Sequence, residues 1–187
     1  MLTRAGAGED AAETGDLDVT SELSIEGNGA SVDAGGSDRA FDVLADGELQ
    51  VEYLNVGGGA PPAGESGGAF RSTGTLVIDR SRIESNVVAG MGASGGGVFN
   101  DQGKLLVKRS ELEGNTATRA GGGIEANLGR TALDEVALTR NSTGAGPGNG
   151  GGLHLTGAGT VNVDRSYVAG NTAAAEGGGL GTRRPAR

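Results

Sequence analysis

The sequence predicts an all-β chain: a single-domain right-handed parallel β-helix (solenoid) of about five to six three-strand coils. Three observations predict it. A pattern recurs about every 27 residues, short apolar segments alternate with period two, and glycine makes up 39 of 187 residues. A period of roughly 20–50 residues marks a stacked array. Apolar side chains at i and i+2 mark strands with one buried face. Glycine at this density argues against helical repeats, because each interior glycine costs a helix about 1 kcal/mol.

Each copy has three parts. The first is a glycine run closed by an apolar residue: Gly67-Gly68-Ala69-Phe70, Gly95-Gly96-Gly97-Val98, Gly121-Gly122-Gly123-Ile124, Gly150-Gly151-Gly152-Leu153 and Gly177-Gly178-Gly179-Leu180. The second is an alternating segment such as Leu76-Val77-Ile78, Leu105-Leu106-Val107 or Val161-Asn162-Val163. The third is an aliphatic-x-x-Asn step: Ile83 to Asn86, Leu112 to Asn115, Leu138 to Asn141 and Val168 to Asn171. Val56-Gly57-Gly58-Gly59 is a degraded copy with glycine in the Asn slot. Each copy thus offers three strands, and equivalent strands of successive coils should pair at roughly 4.8 Å.

Four columns of the stack form the expected core. They are Phe41, Phe70, Val98, Ile124, Leu153 and Leu180; Leu49, Leu76, Leu105, Thr131 and Val161; Val51, Ile78, Val107, Leu133 and Val163; and Val56, Ile83, Leu112, Leu138 and Val168. No single coil buries these side chains, but stacking does. The glycine runs supply positive φ and close approach at a corner. The predicted organisation is a flexible N-terminal segment 1–16, the β-helix 17–180 with Leu17 to Ala40 as a part-coil, and a disordered basic tail 181–187.

Asn86, Asn115, Asn141 and Asn171 read as a structural ladder, each amide bonding its neighbour or a turn's backbone. The competing reading is a polar binding strip. Asn also tolerates left-handed geometry, which suits a corner. Asn141-Ser142-Thr143 matches a glycosylation sequon, but its Asn belongs to the ladder. The variable loops are 60–66, 87–94, 116–120, 142–149 and 172–176, with Pro61, Pro62 and Pro147 among them. Length variation confined to one face of a solenoid marks a face free to vary, which often binds.

The paired Gly-Gly-Ala-Ile-like and Phe-x-x-Asn-like tetrapeptides resemble the repeats of polymorphic outer membrane proteins. Ser110 to Ala117 and Ser166 to Ala173 look like the repeat of bacterial right-handed β-helix surface proteins. The stretch from Gly6 through Leu17-Asp18-Val19-Thr20, and on to Arg39, is similar to the segment that follows the CSLREA motif in that group. The resemblance implies a non-enzymatic scaffold outside the cell or at the outer membrane, adhesin-like, meeting host or neighbour-cell proteins or glycans. It transfers no catalytic residues. Met1 to Thr14 lacks the apolar stretch of a secretion signal, and no run is long enough to span a membrane or anchor the chain. The chain reads as a fragment, with its last coil free to self-associate.

Composition narrows the chemistry. Zero cysteine removes disulfides and thiolate sites. A net charge of −9 disfavours nucleic acid and anionic lipid. No cofactor is expected. An enzymatic alternative is a carbohydrate-active β-helix using Glu84 and Glu113, one coil apart in one outward column. A carboxylate separation near 5 Å is that of retaining glycosidases. Another alternative is a truncated product without independent function. Asp134, Glu135 and Asp164 form a candidate Ca²⁺ group. His154, the single histidine, is expected to point outward beside Glu125, Phe99 and Arg71.

Overall fold

The computed structural model describes residues 15–145 and 147–183. The chain winds through six coils and opens a seventh. The first coil is β1 (Leu17–Val19) and β2 (Glu22–Asp33), and the second is β3 (Phe41–Val43) and β4 (Glu48–Gly57). The third is β5 (Phe70–Ser72), β6 (Thr75–Asp79), β7 (Arg82–Glu84) and β8 (Val87–Val88). The fourth is β9 (Val98–Asp101), β10 (Lys104–Lys108), β11 (Glu111–Glu113) and β12 (Thr116–Ala117). The fifth is β13 (Ile124–Asn127), β14 (Arg130–Asp134), β15 (Ala137–Thr139) and β16 (Ser142–Thr143). The sixth is β17 (Leu153–Thr156), β18 (Thr160–Asp164) and β19 (Tyr167–Ala169), and β20 (Leu180–Arg183) begins the next. Among the described residues there is no helix, so none is long and apolar enough to cross a membrane.

All pairing is parallel. The first strands of the coils line up as β1-β3-β5-β9-β13-β17-β20. The second strands run β4-β6-β10-β14-β18, and the third run β4-β7-β11-β15-β19. These two ladders join because β2 and β4 pass through the corner that later coils break, with a register shift between Glu26 and Ala30. The four core columns stand in the expected register: Leu112 lies between Ile83 and Leu138, and Val107 between Ile78 and Leu133. Phe41 and Phe70 stack with ring centroids 5.1 Å apart. The columns also extend one coil earlier, through Leu17, Leu23, Ile25 and Val32.

Glycine at the first corner is a matter of space as much as torsion. Gly121 has φ +62°, and a Cβ on Gly122 would lie 2.4 Å from the carbonyl oxygen of Gly151 in the next coil. The corners between second and third strands use a different device. Tyr53, Arg80, Arg109, Glu135 and Arg165 all hold positive φ without being glycine. The N–H groups of Arg80, Arg109 and Glu135 donate to backbone carbonyls of the next coil, Arg109 to that of Asp134 at 2.9 Å.

Four features depart from the sequence reading. Asp16, expected in a flexible segment, is buried. Residues 181–183, expected in the tail, continue β20 and pair with β17; 1–14 and 184–187 lie outside the described residues. The segments after each Asn are not simple loops. β8, β12 and β16 pair as a fourth ladder, and bridges join Ser94, Ala120, Asn149 and Glu176 beyond it. Val88, Ala93 and Ala117 form a small second core beneath them. Finally, His154 faces away from the main core but is buried, against Glu125, Thr156 and the glycine backbone at Gly150 and Gly181.

Candidate functional site

The ladder is built from side-chain and backbone amides together. Asn86 Nδ2 donates to Asn115 Oδ1 at 2.9 Å, Asn115 Nδ2 to Asn141 Oδ1 at 3.0 Å, and Asn141 Nδ2 to Asn171 Oδ1 at 3.0 Å. Each acceptor oxygen also takes the backbone N–H of the Asn below it. The second amide hydrogen goes to a strand carbonyl, as from Asn115 to Ile83 at 2.9 Å. Asn86, Asn115 and Asn141 are fully buried, so this is internal wiring, and the sequon at Asn141 offers no accessible amide. The left-handed residue is the one before each Asn: Ser85, Gly114, Arg140 and Gly170. A second ladder was not anticipated. Ser81 and Ser110 share one column, Ser81 N–H donating to Ser110 Oγ at 3.0 Å, and Val136 N–H donates to Ser166 Oγ. Its sequence signal is the recurring basic-Ser step of Arg80-Ser81, Arg109-Ser110 and Arg165-Ser166.

The outward face of the third-strand ladder carries most of the chemistry. One row is Ser31, Asn55, Arg82, Glu111, Ala137 and Tyr167; the other is Asp33, Gly57, Glu84, Glu113, Thr139 and Ala169. Glu84 and Glu113 are thus register neighbours, as the spacing predicts. Arg82 lies between them. Its Nε reaches Glu84 Oε2 at 2.9 Å, its Nη2 holds Glu113, and its Nη1 lies 3.5 Å from Glu111. Arg140 holds the other oxygen of Glu113 from above. Both oxygens of Glu113 are thus committed to ion pairs.

At the N-terminal end of this face the second row has a gap. Gly57 has no side chain, and a cleft of about 330 Å³ opens there, lined by residues that include Ser31, Val32, Asp33, Asn55, Glu84 and Ser85. Asp33 Oδ1 accepts the Gly35 N–H at 2.9 Å.

The Asp134, Glu135 and Asp164 group gathers around Arg165. Its guanidinium lies 2.5, 3.4 and 2.8 Å from the three carboxylates, so these are charged turn residues interleaved with an arginine, which stands where a Ca²⁺ would. A different acidic set, Asp16, Asp18 and Asp42, brings carboxylate oxygens within 4.8 Å of one another. Arg39 Nη1 stands 3.2 Å from both Asp16 and Asp42, again supplying the positive charge, and also holds Glu65. Burial pushes the Asp16 carboxyl from 3.8 to about 7, with Arg39 pulling it down and Asp38, Asp18 and Asp42 pushing it further up. Burial likewise raises Asp38. Burial works against the charge on Arg39, but the surrounding carboxylates outweigh it and hold its pKa above the ordinary value.

His154 Nδ1 lies 3.0 Å from Glu125 Oε2, and both side chains are buried. Thr156 Oγ1 donates to Glu125 at 2.5 Å. Arg119, from the covering layer, reaches Glu125 at 3.3 Å and Ser94 Oγ at 2.8 Å. This network latches that layer onto the first-strand sheet.

The stacked parallel ladders define the chain as a parallel β-solenoid. No protein-family model matches the sequence, and neither a curated protein nor a solved structure matches it.

Proposed function

We propose that the chain is a non-enzymatic binding scaffold displayed outside the cell or at its surface, presenting an outward face to proteins or glycans of a host or neighbouring cell. The observation that carries the reading is the arginine clamp. Glu113, Asp134 and Asp164 are each held by a guanidinium, which fixes charge in place as a recognition surface does. A nucleophile or general base needs a carboxylate oxygen free to reach substrate, and Glu113 has both oxygens engaged by arginines. A rigid solenoid suits display, since its face is flat and preorganised and pays little ordering entropy on binding.

The test pairs binding with turnover. Labelled chain is applied to intact epithelial and bacterial cells, and separately incubated with soluble polysaccharides while reducing ends are counted. Saturable binding to a cell type with no release of reducing ends is the expected result. Release that disappears in Glu84→Gln or Glu113→Gln would establish the enzymatic alternative instead. Absence of saturable binding on every cell type tried would leave the scaffold reading without support.

A further inference from the structure

We infer that the cleft over Gly57 is a subsite for a single neutral sugar unit, held by its hydroxyl groups between Asp33 and Glu84. The inference rests on the binding-scaffold reading and specifies its ligand class. Asp33, Gly57 and Glu84 are consecutive in one outward row. The two acidic residues are therefore two strand spacings apart, roughly 10 Å between Cα atoms, with no side chain between them. Every later position in the row carries one: Glu113, Thr139 and Ala169.

Glycine is needed here for the notch to exist. A Cβ on Gly57 would meet the Glu84 carbonyl oxygen at 2.8 Å and its Cγ at 3.8 Å. Gly58, at φ +71°, would drive a Cβ to 2.4 Å from Asp33 Oδ1. Any side chain at either position would crowd the floor or displace a carboxylate.

The lining matches a sugar ring. The Val32 and Val56 side chains turn into the core, so the floor is strand backbone with the glycine Cα hydrogens, against which the C–H face of a pyranose can lie. Ser31, Ser85 and Asn55 add hydroxyl and amide groups at the edge. Each carboxylate has one oxygen fixed by one partner, Asp33 by the Gly35 N–H and Glu84 by Arg82 Nε. Carboxylates oriented this way accept hydroxyl hydrogens without first paying to order themselves. The volume of about 330 Å³ falls at the small end of ligand sites, of the order of 300–1,000 Å³, which fits one or two rings and not a long chain. The acidic rim also selects against anionic sugars.

The test is an amide-resolved titration of the full ¹⁵N-labelled chain. The probes are methyl α-mannopyranoside, methyl β-galactopyranoside, methyl β-glucopyranoside and, separately, calcium chloride. At least one glycoside should move the amides of Gly57, Gly58 and Ser85 saturably, at millimolar concentration, leaving the later coils unmoved. Glu84→Ala should weaken that response at least tenfold while the rest of the spectrum keeps its dispersion, and Asp33→Asn should do likewise. No saturable shift with any glycoside, or shifts scattered over the surface, overturns the inference. So does a response of these amides to calcium alone. Cell binding that persists in Glu84→Ala, with no glycoside response in the parent chain, would sink the sugar subsite and leave the scaffold reading standing.

Discussion

At the scale of single residues, buried polar groups define this molecule as much as its aliphatic core. Asn115, fully buried, bonds to Asn141 in the coil above and to Asn86 and Ile83 in the coil below. Replacing it with Leu leaves donors and acceptors of Asn86, Asn141 and Ile83 unpaired, and a buried unpaired group costs about 1–3 kcal/mol. Asn115→Leu should therefore lose at least that much stability in a urea melt; an unchanged midpoint would mean the ladder is ornamental. Backbone strain gives the reverse sign at Gln102. It is exposed at φ +66°, in the slot where Gly157 stands two coils later. The left-handed region costs a side-chain-bearing residue about 1–2 kcal/mol, against about 0.5–1 kcal/mol of extra entropy for glycine. Gln102→Gly should leave stability unchanged or raise it by up to about 1 kcal/mol. Asp16 adds a pH signature. Its folded pKa of about 7 lies above the ordinary 3.8, so the folded state binds the extra proton between those values. That contribution is complete below the ordinary value and is lost as pH rises through the folded one. The parent chain should lose ground to Asp16→Asn as pH climbs through that window, and the gap should then stay level; a gap constant throughout would show that Asp16 titrates normally.

At the scale of elements, strands and columns were legible in the sequence because period-two alternation and a fixed repeat leave little choice of register. Leu112 beneath Leu138 follows from counting residues. The covering layer was not legible. Thr116-Ala117 and Ser142-Thr143 are too short and too polar to show alternation, and become strands only because the coils below align them. Alternation sends His154 away from the core, and its column neighbours Glu125 and Gly181 then bury it. The pairing of Glu84 with Glu113 was legible, but the Arg140 clamp was not, because it comes from a different column one coil away. The notch at Gly57 was visible only as a degraded repeat. The Arg119 latch gives this scale its prediction. Glu125 is fully buried, and removing one partner of a buried ion pair costs about 3–5 kcal/mol. The cluster around Arg165 is exposed, where such pairs contribute about 0–1 kcal/mol. Arg119→Ala should destabilise several times more than Arg165→Ala in parallel denaturant melts; equal losses would mean the latch carries no more than a surface pair.

At the scale of the whole molecule, burial is deepest in the middle of the stack and falls at both ends, where Leu17 and Leu23 of the first coil are each 40% exposed. In the central coils Ile78, Val107, Leu112 and Ile124 are completely buried. In the sixth coil and beyond, the core-column residues Val163 and Leu180 are 41% and 50% exposed. A solenoid's stability is close to a sum over neighbouring coils, so a coil with one neighbour holds about half the contacts of one with two. The hydrogen bonds show the same asymmetry. Asn141 N–H donates to Asn171 Oδ1, whereas no described Asn stands above Asn171 to receive its own N–H. Opening of the sixth coil breaks one full interface, that with the fifth, while opening the fourth breaks two. In the 187-residue chain as a dilute monomer, amides of residues 153–169 should exchange with solvent far faster than those of 98–126. The exposed strand edges of β18 and β19 also invite pairing with another chain. Raising the protein concentration should then slow exchange in 153–169 selectively, as association covers that edge. Uniform protection along the stack in a strictly monomeric sample would show that the coils open together, and the picture of additive neighbours would fail for this protein.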